Sequence, residues 1–289
     1  MALPQKTMLV TGGAGFIGSH LCERLVRDGH RVISLDNYFT GSKENHVEGV
    51  EYREGHTKDI EKHIPENPDL VYHLGEYSRT AVAIEEPGLV WDLNIHGTAA
   101  VLEFCRTRNS RLIYAGSSTK FADARVDGIT GRDLSPYTWS KAVNSELVRK
   151  YGEWYQLPYA IVYFYNVYGP RELSGKYGTV VEIFKQNYLH GQPHKVNSPG
   201  TQQRIYTHVA DTVDAIVMVG EKGSGDGYGI ASKDCYSARE VAELFGGEIE
   251  MMPARKTSRP SANVDTTKIE ELGWKPQHTL KEYIKSVIK

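Results

Sequence analysis

The feature that most constrains this chain is a glycine-rich turn near its start, Thr11-Gly12-Gly13-Ala14-Gly15-Phe16-Ile17-Gly18. It follows an apolar run over residues 6–10 that reads as a buried strand. It opens an amphipathic stretch over 16–28 that sets Ile17, Leu21, Leu25 and Val26 on one side of a helix. A strand that turns at once into a helix needs glycine at the tight corner. The absence of side chains also lets backbone approach a pyrophosphate and lets the helix pack on the strand. The helix N-terminus then offers unpaired N–H groups to phosphate. Gly12, Gly15 and Gly18, with Phe16 and Ile17 between them, therefore predict a dinucleotide site. Asp36 ends the next strand, Arg31–Asp36, 18 residues after Gly18. A carboxylate at that point accepts hydrogen bonds from a ribose diol and repels a 2′-phosphate, which favours NAD over NADP.

The same alternation continues. Strands are expected over 50–53, 70–74, 111–115 and 159–165, with helices over 89–106 and Pro136–Tyr155. Strand–helix alternation of this kind predicts an α/β fold with a Rossmann-type, doubly wound parallel sheet, whose ligands sit at the carboxyl ends of the strands. After Asn166 turn signals such as Gly169-Pro170 and Ser198-Pro199-Gly200 separate short elements, which points to a smaller, loop-rich substrate-binding lobe. The expected division is a cofactor domain over 1–165, with a return of the chain at about 201–232. The second lobe would comprise 166–200 and 233–289.

Composition narrows the functional classes. The 34 basic and 36 acidic residues give a net charge of −2, so no global field favours nucleic acid or a membrane. Three cysteines, Cys22, Cys105 and Cys235, stand far apart with no CxxC pair, which argues against a disulfide framework or a zinc site and suits a reducing cytoplasm. Residues 1–5 are too short for a signal peptide, and no apolar run reaches the roughly 18 residues of a membrane span.

Tyr137 and Lys141 lie four residues apart and share a helix face. Tyrosine, with an ordinary pKa of about 10, is a poor base near neutrality. A neighbouring ammonium and an oxidised nicotinamide both stabilise phenolate. Ser117 follows the fifth strand at the same sheet edge, where its hydroxyl can bond a sugar oxygen.

Taken together, these residues resemble the extended short-chain dehydrogenase/reductase family, and within it the nucleotide-sugar 4-epimerases. The resemblance includes the TGGAGFIGSHL opening, Asp36-Asn37, Asp59-Ile60, the HLG at 73–75, Asn94 and YxxxK. Further on it includes Asn166-Val167-Tyr168-Gly169-Pro170-Arg171, Gln203-Arg204, Arg259 and Leu272-Gly273-Trp274. It implies a bound NAD contacted by the glycine turn, Asp36, Asn37, Asp59, Ile60, Leu74, Tyr137 and Lys141. It implies catalysis by Ser117, Tyr137 and Lys141, with a hydride taken from the sugar C4 and returned on the other face. Substrate contacts are expected from Ser78, Arg79, Asn94, Ser118 and Thr119, and from Asn166, Arg204 and Arg259 at the nucleotide diphosphate. Arginine forks suit phosphate oxygens, although either arginine could instead serve a surface ion pair. A homodimer built on the 89–106 and Pro136–Tyr155 helices is also implied.

At 117–119 the family's 4,6-dehydratases carry Thr-Asp-Glu and its UDP-glucuronate decarboxylases a glutamate in third place. Here the residues are Ser117-Ser118-Thr119, which favours an epimerase. The chain departs from the pattern at Gly75-Glu76-Tyr77-Ser78-Arg79, where small residues are usual. Glu76 and Arg79 are expected either to form an exposed pair or to contact cofactor or hexose. Small residues at 260–263 suggest room for an N-acetyl group. His46, His56, His63 and His73 lack metal-ligand spacing, and Tyr151, Trp154 and Tyr155 read as packing residues.

Overall fold

A computed structural model describes residues 4–121, 131–254 and 265–288. Its centre is a seven-stranded sheet. Six strands are β1 (Thr7–Thr11), β2 (Arg31–Asp36), β3 (Val50–Glu54), β4 (Leu70–His73), β5 (Arg111–Ser117) and β6 (Tyr159–Phe164). The seventh is Gly225–Ile230. The order across the sheet is Gly225–Ile230, β6, β5, β4, β1, β2, β3, and every pairing is parallel. The chain winds outward from β1 through β2 to β3, then returns to β4 on the other side of β1. The strand order thus reverses between β1 and β4, which opens a crevice at their carboxyl ends.

Parallel strands need crossover helices, and these cover both faces of the sheet. Along β1 the side chains alternate. Met8 and Val10 pack with Leu21 and Leu25 of α1 (Phe16–Arg27) and with Val213 and Ile216 of the helix Val209–Lys222. Leu9 packs on the opposite face with Val101, Leu102 and Phe104 of the helix Gly97–Arg108 and Val148 of the helix Pro136–Tyr155.

The helix expected over 89–106 spans Pro87–Val90, a π-helical stretch at Trp91–His96, and then Gly97–Arg108. A wider turn inside a helix breaks the 3.6-residue period, so the sequence pattern reads as one regular helix where the backbone is not regular. Beyond Asn166 three small strand pairs form, and a separate core gathers Tyr168, Phe184, Val196, Tyr206, Val241, Phe245 and Leu280. Trp154 and Tyr155, read from spacing as packing residues, are 61% and 52% exposed. Both lie at the end of the helix Pro136–Tyr155, past the sheet that buries its middle.

The glycine turn is built by contact. Gly12 has φ +74°, and a Cβ there would stand 2.9 Å from the Gly75 backbone beyond β4. A Cβ on Gly18 would meet the Gly12 carbonyl oxygen at 2.0 Å. Gly18→Ala must therefore push α1 off the turn, and urea unfolding should show a loss of about 1–3 kcal/mol. Gly29→Ala is the comparison, since a Cβ there meets nothing within 4 Å and only its φ of +88° is strained.

Candidate active site

The carboxyl ends of β1, β2, β4, β5 and β6 border a cavity of about 850 Å³. At one end lies the glycine turn. Gly12, Gly15, Phe16, Ile17 and Gly18 line it, and α1 starts at a glycine N-cap with no side-chain cap and no acidic residue in its first turn. The backbone N–H groups of that turn are thus left to an anion. Asp36 and Asn37 line the same end. Asp36 accepts bonds from the Ala14 N–H at 2.9 Å and the Tyr38 N–H at 2.8 Å, one on each carboxylate oxygen. Burial pushes its carboxyl up, against the pull of those two N–H groups. The remaining lone pairs suit a diol. The cradle of close glycines, the open helix end and the fixed carboxylate fit a dinucleotide.

Deeper in the cavity stand Ser117, Tyr137 and Lys141. Ser117 ends β5. Tyr137 sits in the first turn of the helix Pro136–Tyr155, which is fixed by a reciprocal cap: the Ser135 hydroxyl accepts from the Thr138 N–H at 3.2 Å, and the Thr138 hydroxyl accepts from the Ser135 N–H at 2.9 Å. Caps of this kind contribute about 1 kcal/mol. Here the cap also fixes where the phenol points. The Tyr137 hydroxyl donates to Ser117 Oγ at 3.3 Å, and Ser117 Oγ shares a bond with Thr119 Oγ1 at 2.8 Å.

Lys141 lies one turn further along and is buried. Its ammonium donates to the Ala115 carbonyl and to the Glu76 carboxylate. The other Glu76 oxygen accepts from the hydroxyls of Thr98 at 2.8 Å and Tyr114 at 3.1 Å, and from the Asn144 amide at 2.9 Å. Burial alone would raise the Glu76 carboxyl, but Lys141 and these donors outweigh it and hold it below the ordinary carboxylate value. Thr98 also bonds His73 Nε2 at 3.0 Å, and His73 Nδ1 meets Thr11 Oγ1 at 2.7 Å. The expectation of an exposed Glu76–Arg79 pair is therefore corrected. Glu76 turns inward because a buried ammonium needs a counter-charge there, while Arg79 bonds the Tyr177 carbonyl and the Ser78 hydroxyl.

A profile of the NAD-dependent epimerase/dehydratase family matches residues 8–231. The chain belongs to that family. It is 30% identical to the UDP-glucose 4-epimerase of Mycolicibacterium smegmatis over 97% of this chain and 96% of that one. It is 29% identical to the UDP-N-acetyl-α-D-glucosaminuronate decarboxylase of Bacillus cytotoxicus, covering 93% and 92% of the two chains. Its fold superposes on the crystal structure of Thermus thermophilus UDP-glucose 4-epimerase in complex with NAD, with a TM-score of 0.88 at 28% identity, covering 98% and 97%. The protein is accordingly an NAD-dependent enzyme of a family whose members act on nucleotide sugars as epimerases, dehydratases or decarboxylases.

Within this epimerase/dehydratase fold the predicted site residues fall into two groups. Leu74, Ser78, Arg79, Ser118, Thr119, Asn166 and Arg204 line the cavity with those already placed. Asn166 donates to the Ile205 carbonyl at 2.7 Å, and Arg204 bonds the Gln203 carbonyl and the Gln202 side chain at 2.8 and 3.0 Å. Asp59, Ile60 and Asn94 do not line it. Asp59 pairs with Lys62 at 2.6 Å, and Ile60 is packed in the core. Asn94, carried on the π-helical turn, accepts from the Tyr77 N–H at 2.7 Å and donates to the Tyr77 carbonyl at 3.2 Å, so it clamps the loop after β4. Arg259 and residues 260–263 lie outside the described residues. The link from Glu76 to Lys141 has no signature in the sequence, since its partners are separated by 65 residues and no spacing rule joins them. Among the described residues no cluster of His, Cys, Asp and Glu could hold a metal ion.

His73 is fully buried, and burial lowers its imidazole from 6.5 to about 4, with Glu76 opposing. A histidine buried neutral lends full stability above pH 6.5, and that share is lost as pH falls from 6.5 towards 4. The loss should amount to about 3 kcal/mol. Denaturant unfolding of wild type and His73→Gln should show this slope in the first and a flatter one in the second.

Proposed function

We propose that this enzyme interconverts the C4 epimers of a nucleotide-activated hexose, UDP-glucose and UDP-galactose or UDP-GlcNAc and UDP-GalNAc, through a transient 4-keto sugar. The observation that carries this reading is the supply of acids. Among the described residues lining the cavity, the only carboxylates are Asp36 and Glu76, and both are engaged, Asp36 by two backbone N–H groups and Glu76 by Lys141 and three further donors. Ser118 and Thr119 offer hydroxyls only. Elimination at C5 and C6 needs a free acid and base, whereas epimerisation at C4 needs one proton acceptor.

NAD, when bound, supplies the acceptor and later the donor of the C4 hydride. The glycine turn and Asp36 hold its pyrophosphate and ribose ends, with Asn37 and Leu74 against it. Tyr137 takes the C4 hydroxyl proton and gives it back. Ser117 bonds the sugar oxygen and keeps the phenol aligned. Lys141 holds positive charge beside the phenolate that forms. Ser78, Arg79, Ser118 and Thr119 bound the hexose, and Asn166, Arg204 and Arg259 hold the diphosphate, while Asn94 acts through the Tyr77 backbone.

A second reading has its own observation. Arg79 presents a guanidinium in the cavity wall, where burial lowers its proton affinity and Glu172 opposes. It would hold a sugar carboxylate, as a decarboxylase requires. NMR product analysis on UDP-, GDP- and CDP-hexoses, their N-acetyl forms and UDP-glucuronate separates the two. C4 epimers with no net NADH support epimerisation, and a pentose product replaces it with decarboxylation. Tyr137→Phe should lose at least a thousandfold in turnover while NAD stays bound; normal turnover would remove Tyr137 from its role. Asp36→Asn should narrow the preference for NAD over NADP at least tenfold, measured by binding, because the charge that repels a 2′-phosphate is gone.

We also propose a homodimer through the helices Gly97–Arg108 and Pro136–Tyr155, since Trp139, Trp154 and Tyr155 stand exposed on the latter. A cytoplasmic location suits three free thiols, of which Cys22 and Cys105 are buried. No described helix is long and apolar enough to cross a membrane.

A further inference from the structure

The Glu76–Lys141 ion pair is more than the sugar chemistry requires. Their side chains are 2% and 6% exposed, and removing one partner of such a pair leaves the other as an uncompensated buried charge. A small residue, usual in the family at this position, would leave the ammonium with the Ala115 carbonyl and the ring of Tyr114, whose centre is 4.9 Å away. The charges facing the pair can be named from each element around it. His73 on β4 is kept neutral by burial. Tyr114 on β5 and Thr98 and Asn144 on the two covering helices donate neutral hydrogen bonds. Tyr137 shares a helix with Lys141, and Arg79 stands on the loop after β4. The pair itself has no net charge, and both members line the cavity.

An oxidised nicotinamide ring carries one positive charge, and hydride addition removes it. A lone buried lysine beside that ring favours the reduced form, because like charges repel more strongly where water is excluded. We propose that Glu76 is a positioning residue that anchors Lys141 and offsets its field at the nicotinamide, while the ammonium stays beside Tyr137, so that the bound cofactor rests in its oxidised form. The inference rests on the function proposed above, in which Lys141 lies one helical turn from Tyr137 and so beside the ring that takes the C4 hydride, and not on which sugar reaction follows. A carboxylate in this place prepares the enzyme to begin each turnover by accepting a hydride.

The test needs no sugar. Full-length protein is equilibrated with defined mixtures of NAD and NADH, and the bound fraction of each is read after rapid desalting. Glu76→Gln should move the preference about tenfold towards NADH, equivalent to about 1.4 kcal/mol. Lys141→Gln should move it the other way, and the double variant should return to the wild-type ratio. Any loss of binding in Lys141→Gln that is common to both cofactors drops out of the ratio. Glu76→Asp keeps the charge and should stay near wild type. An unchanged ratio in Glu76→Gln overturns the proposal, as does an equal shift in Glu76→Asp. If Glu76→Gln does not fold, an unchanged ratio in Lys141→Gln decides against it. Failure of the wild type to epimerise any sugar would sink the reaction proposed above and leave these ratios readable.

Discussion

Everything in this molecule depends on a parallel sheet that is covered on both faces. Such strands have no wet side, so their interiors are apolar and polar side chains are pushed to their ends. β1 finishes on Thr11, β2 on Asp36, β4 on His73 and β5 on Ser117. Because the pairings are all parallel, those ends lie along one edge. The reversal of strand order between β1 and β4 opens that edge, and the backbones of Gly12 and Gly75 touch across it. Cofactor groove, hydroxyl set and buried lysine are consequences of this arrangement, since the polar strand ends and the reversal of strand order coincide at this edge.

The sequence makes much of this legible for a physical reason. Strand and helix periods are local, and so are the glycine corner, the carboxylate ending β2 and the four-residue step from Tyr137 to Lys141. β2 and the helix Pro136–Tyr155 match their expected bounds, and the other strands of the first half differ by a residue or two at their ends. What escaped is non-local or irregular. The bond from Glu76 to Lys141 joins a loop after β4 to a helix after β5. The small strand pairs beyond Asn166 are two to four residues long, too short to carry a period. The side chain of Asn94 bonds the Tyr77 backbone and Ser140, partners 17 and 46 residues away that no local period joins.

Beneath the edge, a continuous run of hydrogen bonds passes from Thr11 through His73 and Thr98 to Glu76 and Lys141. It ties β1, β4 and the two covering helices into one buried polar layer beneath the cavity floor. A layer of this kind resists rearrangement, because shifting one member leaves another buried and unsatisfied. The glycine turn and the tyrosine are thus held in register by a common support although they belong to different strand–helix units.

The wide turn at Trp91–His96 has an effect on how this site can change. An α-helix accommodates a π turn by carrying one residue beyond its regular count, and every side chain downstream is rotated about 100° from where a regular helix would put it. Removing a single residue there would tidy the helix, yet it would swing Asn94 away from Tyr77 or turn Thr98 away from Glu76, but could not keep both. The shape of the loop after β4 is thereby written into the length of the helix that clamps it. Substitutions can tune its chemistry, whereas an insertion or deletion in that helix would redraw the pocket wall in one step.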